Sequence, residues 1–510
     1  MSSPPSSINL SGPVHGASDA VPPDQVPKYT FLSMIGVNLM VFMATLDMSI
    51  VNVALPSLAK QLNTDFATVQ WVVLSYVLVV ASLLLMVSRL GDIRGKKRIF
   101  SLGLGIFTLG SLLCGLAPSV GWLIFFRALQ AVGAAMSQAL GIAIVTELAP
   151  PHRRGRAIGL IGASVAMGLS LGPSLGGLII EFVGWRWIFL INVPLGILAQ
   201  LIIYRHMPPL APAKRDQRFD VPGAVLTAIT LVAYSMGMTF GQKIGFGSPL
   251  SLTLLAVAAV SLFGFIAVER RVKQPMIDLT LFRNPLFNMN LIMSVLVFIS
   301  LSAGFIMPFF LQLAQGRPPS EVGLLMMVIP LSMGLVAPFA GALSDRFGPR
   351  GLSLLGLVIL VCGCLAVSTL TLETSWWGFA LRVMPVGLGV GLFQAPNNSA
   401  IMSAVPREHL GVASGLLNYS RVFGQSTGLP LIGSIFTIFV VSVTLEPVRT
   451  DFTLVPPEAL AAGIAGAYRF QAVLLLAAIG LGIAAWVVDH RRGSASLPPA
   501  ARIERPTSGG

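Results

Sequence analysis

Five ionisable side chains of this 510-residue chain stand inside long apolar stretches: Asp47, Arg127, Arg382, Arg421 and Arg469. A charge in hydrocarbon is costly and ordinarily faces a cavity or an opposite charge. Asp47 is the only acid of the five. It lies about two-thirds of the way out along its stretch, and Arg127 enters its own from the outer side by about five residues, so their depths roughly match. An ion pair between them is geometrically open, and it could act as a proton switch. Beside the guanidinium the carboxylate stays ionised; when that partner is drawn away, apolar surroundings favour the neutral acid. A permanent pair that fixes helix register is the other reading. Arg382 has no such acid, because the stretch around Ala303 is Ser, Leu and Gly. It is expected to reach outward to the interface. Arg421, near Asn418 and Gln425, suits a polar patch in a central cavity, and Arg469, close to an interface, reads as structural.

The elements that must position these residues are membrane helices. Apolar residues make up 55% of the chain and charged residues 10%, with a strongly positive mean hydropathy, which excludes a soluble domain of this length. Stretches of about 17 to 25 apolar residues are long enough to cross a bilayer. Fourteen occur, at 31–53, 69–88, 99–117, 122–146, 157–180, 187–204, 222–240, 250–268, 287–311, 322–343, 352–372, 377–403, 412–439 and 467–488. The chain also repeats itself 253 to 256 residues apart. Leu90-Gly-Asp92-Ile-Arg-Gly95 returns as Leu343-Ser-Asp345-Arg346-Phe-Gly348, Trp122 with Arg127 as Trp377 with Arg382, Gly155–Leu160 as Gly411–Leu416, and Gly168 with Gly172 as Gly424 with Gly428. A period this long is a duplicated helical bundle, an arrangement that holds a substrate between its halves. The expected fold class is an all-α integral membrane protein. A tail (1–28) precedes a six-helix bundle (29–205), a linker with two extra helices (206–286), a second six-helix bundle (287–490) and a tail (491–510).

Basic residues cluster in alternate loops: Arg94, Lys96, Lys97 and Arg98, then Arg153, Arg154 and Arg156, with later groups at 214–218, 270–283 and 346–350. By the positive-inside rule these loops and both termini are cytoplasmic, in a multi-pass protein of the cell membrane. The net charge of +13 therefore belongs to membrane-flanking loops and gives no sign of a nucleic-acid partner. The Ser- and Pro-rich start shows no secretory leader, and both tails are expected to be disordered. Cys362 and Cys364 have no accompanying His, so a metal site is not expected.

The motifs carry a family resemblance. Leu90-x-Asp-x-x-Gly-Lys-Lys resembles the loop signature of the major facilitator superfamily, and Arg127-x-x-Gln-x-x-Gly resembles its conserved-arginine motif. Gly168-x-x-x-Gly172-Pro173-x-x-Gly176-Gly177 resembles the motif of its antiporters. Leu46-Asp47-x-Ser-Ile-Val-Asn-Val-Ala-Leu-Pro56 and Trp185-Arg-Trp-Ile-Phe-Leu-Ile-Asn-Val-Pro194 resemble the fourteen-span drug:proton antiporter branch. The resemblance covers residues 31–490. One departure is Ile93, where the family usually has Arg.

The motifs also have a physical reading. Asp92 with Gly95, and Asp345 with Arg346 and Gly348, suit a conformational latch: a carboxylate beside a sharp turn that binds a neighbouring helix N-terminus or Arg. Gly168, Gly172 and Gly176 give one helix a face for backbone-to-backbone packing, and Pro173 bends it. The antiporter resemblance implies a seal against proton leak between the halves; plain tight packing is the alternative.

Together these features lead to the expectation of a monomeric secondary transporter that exports small hydrophobic or amphiphilic molecules in exchange for protons by alternating access. Its partners would be the substrate, protons and the lipid bilayer, with no cofactor beyond the proton gradient. Asp47 is expected to carry the proton and Arg127 to modulate it. Arg421, Asn418, Gln394, Asn397, Asn398, Phe305, Met307 and Phe393 are candidates for the cavity wall. A transporter of anionic metabolites fits the excess of arginines, and a non-transporting receptor or scaffold would not need Asp47 to titrate. No catalytic constellation suggests an enzyme.

Overall fold

The computed structural model describes residues 28–150, 153–208, 210, 221–272, 279–406, 410–444 and 455–495. Most of both tails and parts of the two linkers lie outside that set. Among the described residues, 14 helices are long and apolar enough to cross a membrane, in the expected order. The first half holds α1 (Lys28–Gln61), α2 (Phe66–Val69), α3 (Trp71–Arg94), α4 (Lys96–Gly115), α5 (Val120–Leu148), α6 (Arg154–Phe182), α7 (Trp187–Leu190) and α8 (Asn192–His206). The inserted pair is α9 (Val221–Ile244) and α10 (Pro249–Glu269). The second half holds α11 (Pro285–Leu301), α12 (Met307–Phe309), α13 (Pro319–Met326), α14 (Val328–Phe347), α15 (Pro349–Val367), α16 (Trp376–Ser403), α17 (Leu410–Thr444) and α18 (Pro457–Ala495).

Several helices outrun their apolar stretches, because the hydrogen-bond ladder continues into the interface where hydropathy falls. α18 begins at Pro457, so Arg469 lies about three turns inside it, with an exposed side chain. The ninth span is not one helix. After Leu301 it passes through a 3-10 turn (Ser302–Phe305), α12 and a π turn (Phe310–Ala314). Irregular backbone at membrane depth is tolerated where it is packed in protein or lines a cavity.

The duplication is visible in the packing. A Cβ on Gly168 would lie 2.9 Å from the Phe42 carbonyl oxygen, and one on Gly172 would collide with Ser49, so α6 lies backbone-on-backbone against α1. In the second half Gly424 and Gly428 bring α17 against Val295 and Ile299 of α11 in the same way.

The first helix of the inserted pair packs on both halves. Tyr234 of α9 shares a hydrogen bond with Thr427 at 3.0 Å and stacks on Phe423 at 5.2 Å, both on α17. Leu231 packs with Leu74 and Leu78 of α3, and Lys243 pairs with Asp65 at 2.7 Å. α9 thus touches both halves, while α10 packs on α9, with Ser251 donating to the Gly237 carbonyl. The amphipathic linkers (206–220 and 269–286) suggest a flexible tether between the halves; residues 211–220 and 273–278 lie outside the described residues, while α9 itself is held by both halves.

Candidate functional site

Asp47 and Arg127 form an ion pair, and both residues are 0% exposed. Five helices build the site. The Asp47 carboxylate also accepts from Gln130 Nε2 on α5 at 2.9 Å and from Asn192 Nδ2 on α8 at 2.9 Å. Arg127 donates from Nε to the Val72 carbonyl of α3 at 3.0 Å and from a terminal nitrogen to Gln130 Oε1 at 2.7 Å. Gln130 donates onward to Ser111 of α4 at 2.7 Å. The guanidinium lies over the Tyr76 ring at 4.3 Å. Both charged groups are held by hydrogen bonds, the condition under which a buried charge pair is tolerable, while Asn192 Oδ1 is left without a partner. Chemically it is a carboxylate whose charge ties α1 to α5 and α8; a proton there would remove that charge. Gln130 and Asn192 both stand in the motifs quoted above, but they lie 83 and 145 residues from Asp47, and only the fold brings them together.

A cavity of about 250 Å³ lies between the halves. α1 contributes Met48, Ser49 and Asn52, and α6 contributes Pro173. The second half contributes Ser300, Phe305, Cys364, Gln425, Tyr468 and Gln471 among others. Met48 and Ser49 directly follow Asp47, so the ion pair sits behind the cavity wall rather than on it.

Of the expected wall residues only Phe305 lines this cavity. α16 meets it through Val386 and Val390, and Gln394, Asn397 and Asn398 lie farther along that helix. Asn397 instead donates to the Asn290 carbonyl of α11 at 3.3 Å. Phe393 is buried where α16 meets α15, its backbone against Gly356. Met307 is buried in a core cluster that joins the two halves. Arg421 and Asn418 stand one and two turns from Gln425 on α17, beyond the wall, with Arg421 over the Phe298 ring at 5.6 Å. Arg382 donates to the Gly378 carbonyl and to Thr369 Oγ1 at the end of α16, in keeping with an interfacial role. The wall's amides are Asn52, Gln425 and Gln471 rather than those of α16, because the sequence shows which spans carry neutral amides but not which helix faces turn to the cavity.

The halves meet above the cavity, on the face opposite the termini. A Cβ on Gly177 would lie 2.1 Å from the Pro319 carbonyl oxygen, and one on Gly323 would lie 2.2 Å from that of Pro173. Glu181 accepts from the Ser320 N–H at 3.0 Å, at the N-terminus of α13, and Gln312 donates to the Val53 carbonyl at 3.0 Å. On the opposite flank burial would raise the Asp65 carboxyl, but hydrogen bonds from Lys243 and Thr68 outweigh it and hold it below the ordinary 3.8. Toward the terminal face, Gly159 and Gly162 of α6 and Gly334 and Gly341 of α14 face open space. The glycine motif therefore divides: Gly168, Gly172 and Gly176 pack within the first half, and Pro173 and Gly177 face the second.

At the expected latches Gly95 and Gly348 adopt φ of 94° and 83°, the sharp turn that glycine permits. The side chains of Asp92 and Asp345 lie outside the described residues. Arg346 and Arg94 are exposed, and Lys96 pairs with Glu147 across the first turn.

A family model, Major Facilitator Superfamily, matches residues 37–429 and 291–509. The chain is 34% identical over 413 residues to the riboflavin transporter RibZ of Clostridioides difficile, covering 80% of this chain and 89% of that protein. It is 35% identical over 421 residues to the multidrug resistance protein Stp of Mycobacterium tuberculosis, covering 82% and 77%. Among solved structures, a bacterial homologue of the human lysosomal transporter Spinster, inward-facing and unoccupied, superposes with a TM-score of 0.65 at 18% identity, covering 90% of this chain and 97% of that one.

Proposed function

The chain belongs to the Major Facilitator Superfamily and is a multi-pass membrane transporter, not an enzyme, and we propose that it exports small, largely apolar molecules in exchange for protons by alternating access. The observation that carries this reading is the enclosed Asp47–Arg127 pair directly behind the cavity wall. Ionised Asp47 ties α1 to α5 and α8. Protonation removes the charge that Arg127, Gln130 and Asn192 hold, and frees α1 to shift. α1 is packed backbone-to-backbone on α6, whose far end seals against α13, so a movement of α1 reaches the seal.

The basic loops support a cytoplasmic terminal face. The seal on the far face, where Gly177 meets Pro319 and Gly323 meets Pro173, is consistent with a cavity that loads from the terminal side, the direction export requires. The resistance named for the tuberculosis relative supports efflux; the name of the clostridial one brings planar, hydrogen-bonding molecules into the range of cargo. One chain supplies the cavity from both its halves, which is consistent with a monomeric transporter. A second reading, exchange of anionic metabolites, draws on Arg421, whose Nε has no hydrogen-bond partner, although the residue stands beyond the cavity.

The test uses reconstituted vesicles of known orientation with an acid interior and a pH dye, challenged in turn with neutral, cationic and anionic aromatic compounds. Discharge of the gradient by a compound in wild type but not in Asp47→Asn supports antiport. Exchange of anions with no proton movement overturns it.

A further inference from the structure

The wall of the central cavity contains no Asp, Glu, Lys, Arg or His among the described residues. The acid nearest along the chain, Asp47, is turned away into its own network, and Arg421 lies one turn below the wall. A charged cargo would lose hydration there and meet no counter-charge, a penalty that apolar contacts cannot offset.

What the wall does offer is primary amides. Asn52 Oδ1 on α1 is buried without a hydrogen-bond partner. Gln471 of α18 is 2% exposed. Its Oε1 accepts from Ser300 Oγ at 3.4 Å and from the Cys364 thiol at 3.6 Å, which leaves Nε2 unpaired. Gln425 of α17 supplies a third amide. Native proteins rarely leave such buried groups unmatched, and a ligand with the complementary edge removes their desolvation cost. The unpaired acceptor and the unpaired donor come from opposite halves and belong to residues of one cavity wall.

We propose that this cavity selects an uncharged, mostly apolar molecule bearing an amide- or imide-type edge, read by Asn52, Gln425 and Gln471, and rejects lipophilic cations and organic anions alike. The proposal rests on the cavity being the cargo site of the transporter proposed above.

The test is equilibrium binding to the purified full-length protein in lipid nanodiscs, with three planar tricyclic probes that differ in charge: phenanthridinone (a neutral lactam), 5-methylphenanthridinium and phenanthrene-9-carboxylate. Phenanthridinone is expected to bind at least about tenfold more tightly than either charged probe, and N-methylation of its lactam to weaken it by about tenfold, the loss of one buried hydrogen bond. Asn52→Leu and Gln471→Leu should each weaken the lactam by a similar factor. Gln471→Glu should raise affinity for the methylphenanthridinium above that for the lactam, a gain that a misfolded variant cannot produce. Absence of lactam binding, or wild-type preference for the cation or the anion, overturns the proposal. Binding needs no proton gradient, so selective binding without proton exchange in vesicles sinks antiport alone, and proton-coupled transport of the cation sinks the neutral cavity alone.

Discussion

Asp47 is separated from the cavity by the backbone that carries Met48 and Ser49 to the wall, and that separation has a measurable consequence. Asp47→Asn removes the charge that answers Arg127 but leaves the wall intact. The variant should bind phenanthridinone within about twofold of wild type while losing proton exchange. Its thermal stability should fall by on the order of 3–5 kcal/mol, since breaking a buried pair leaves an uncompensated charge. The double variant Asp47→Asn with Arg127→Gln should recover part of that loss. A comparable drop in lactam affinity would place Asp47 on the wall. The pair was legible in the sequence because charges in apolar stretches are few and the depths of these two match. Its partners were not. Gln130, Asn192 and Ser111 look like ordinary polar residues until α4, α5 and α8 converge on α1. The wall was the least legible: Gln394, Asn397 and Asn398 are the more polar choice, yet α16 turns Val386 and Val390 to the cavity instead.

At the scale of the elements, α6 performs two packing jobs on two faces. The four-residue spacing of Gly168, Gly172 and Gly176 announces a close backbone approach, but spacing does not say whose backbone approaches. The structure answers with α1 for those three and α13 for Gly177. Likewise, hydropathy showed that α9 spans but not that its apolar face is buried between α3 and α17, or that the ninth span breaks beside the cavity. The seal at Gly177 can be tested directly. A valine there must displace the Pro319 carbonyl, 2.1 Å from the added Cβ. Overpacking on the order of 1–3 kcal/mol should shift the equilibrium away from the far-closed state by about 5- to 150-fold. Disulfide cross-linking between Glu181→Cys and Ser320→Cys, in a chain cleared of Cys114, Cys362 and Cys364, should fall accordingly. Gly162→Val, where the added side chain meets open space, should leave the yield unchanged.

At the scale of the whole molecule, the proposed proton site at Asp47 and the proposed neutral cargo would together fix the electrical character of the exchange. A monovalent cation leaving against one entering proton moves no net charge, and an anion leaving against a proton moves two. A neutral cargo leaving against a proton moves one charge inward per proton, so the membrane potential and the pH gradient both drive export. One charge crossing 100 mV is worth about 2.3 kcal/mol. For a single proton per cycle that raises the steady-state cargo ratio by about fiftyfold. The measurement uses vesicles at equal pH on both sides, with a potassium gradient and valinomycin setting the potential and phenanthridinone as cargo. A potential that is negative on the cytoplasmic face of the protein should by itself drive the lactam toward the far face, and reversing its sign should reverse the flux. Asp47→Asn should abolish the response while the lactam still binds. Lactam transport that follows the pH gradient but ignores the potential would mean that a compensating charge moves with the cargo, and the one-charge exchange of a neutral cargo inferred from the wall would fall.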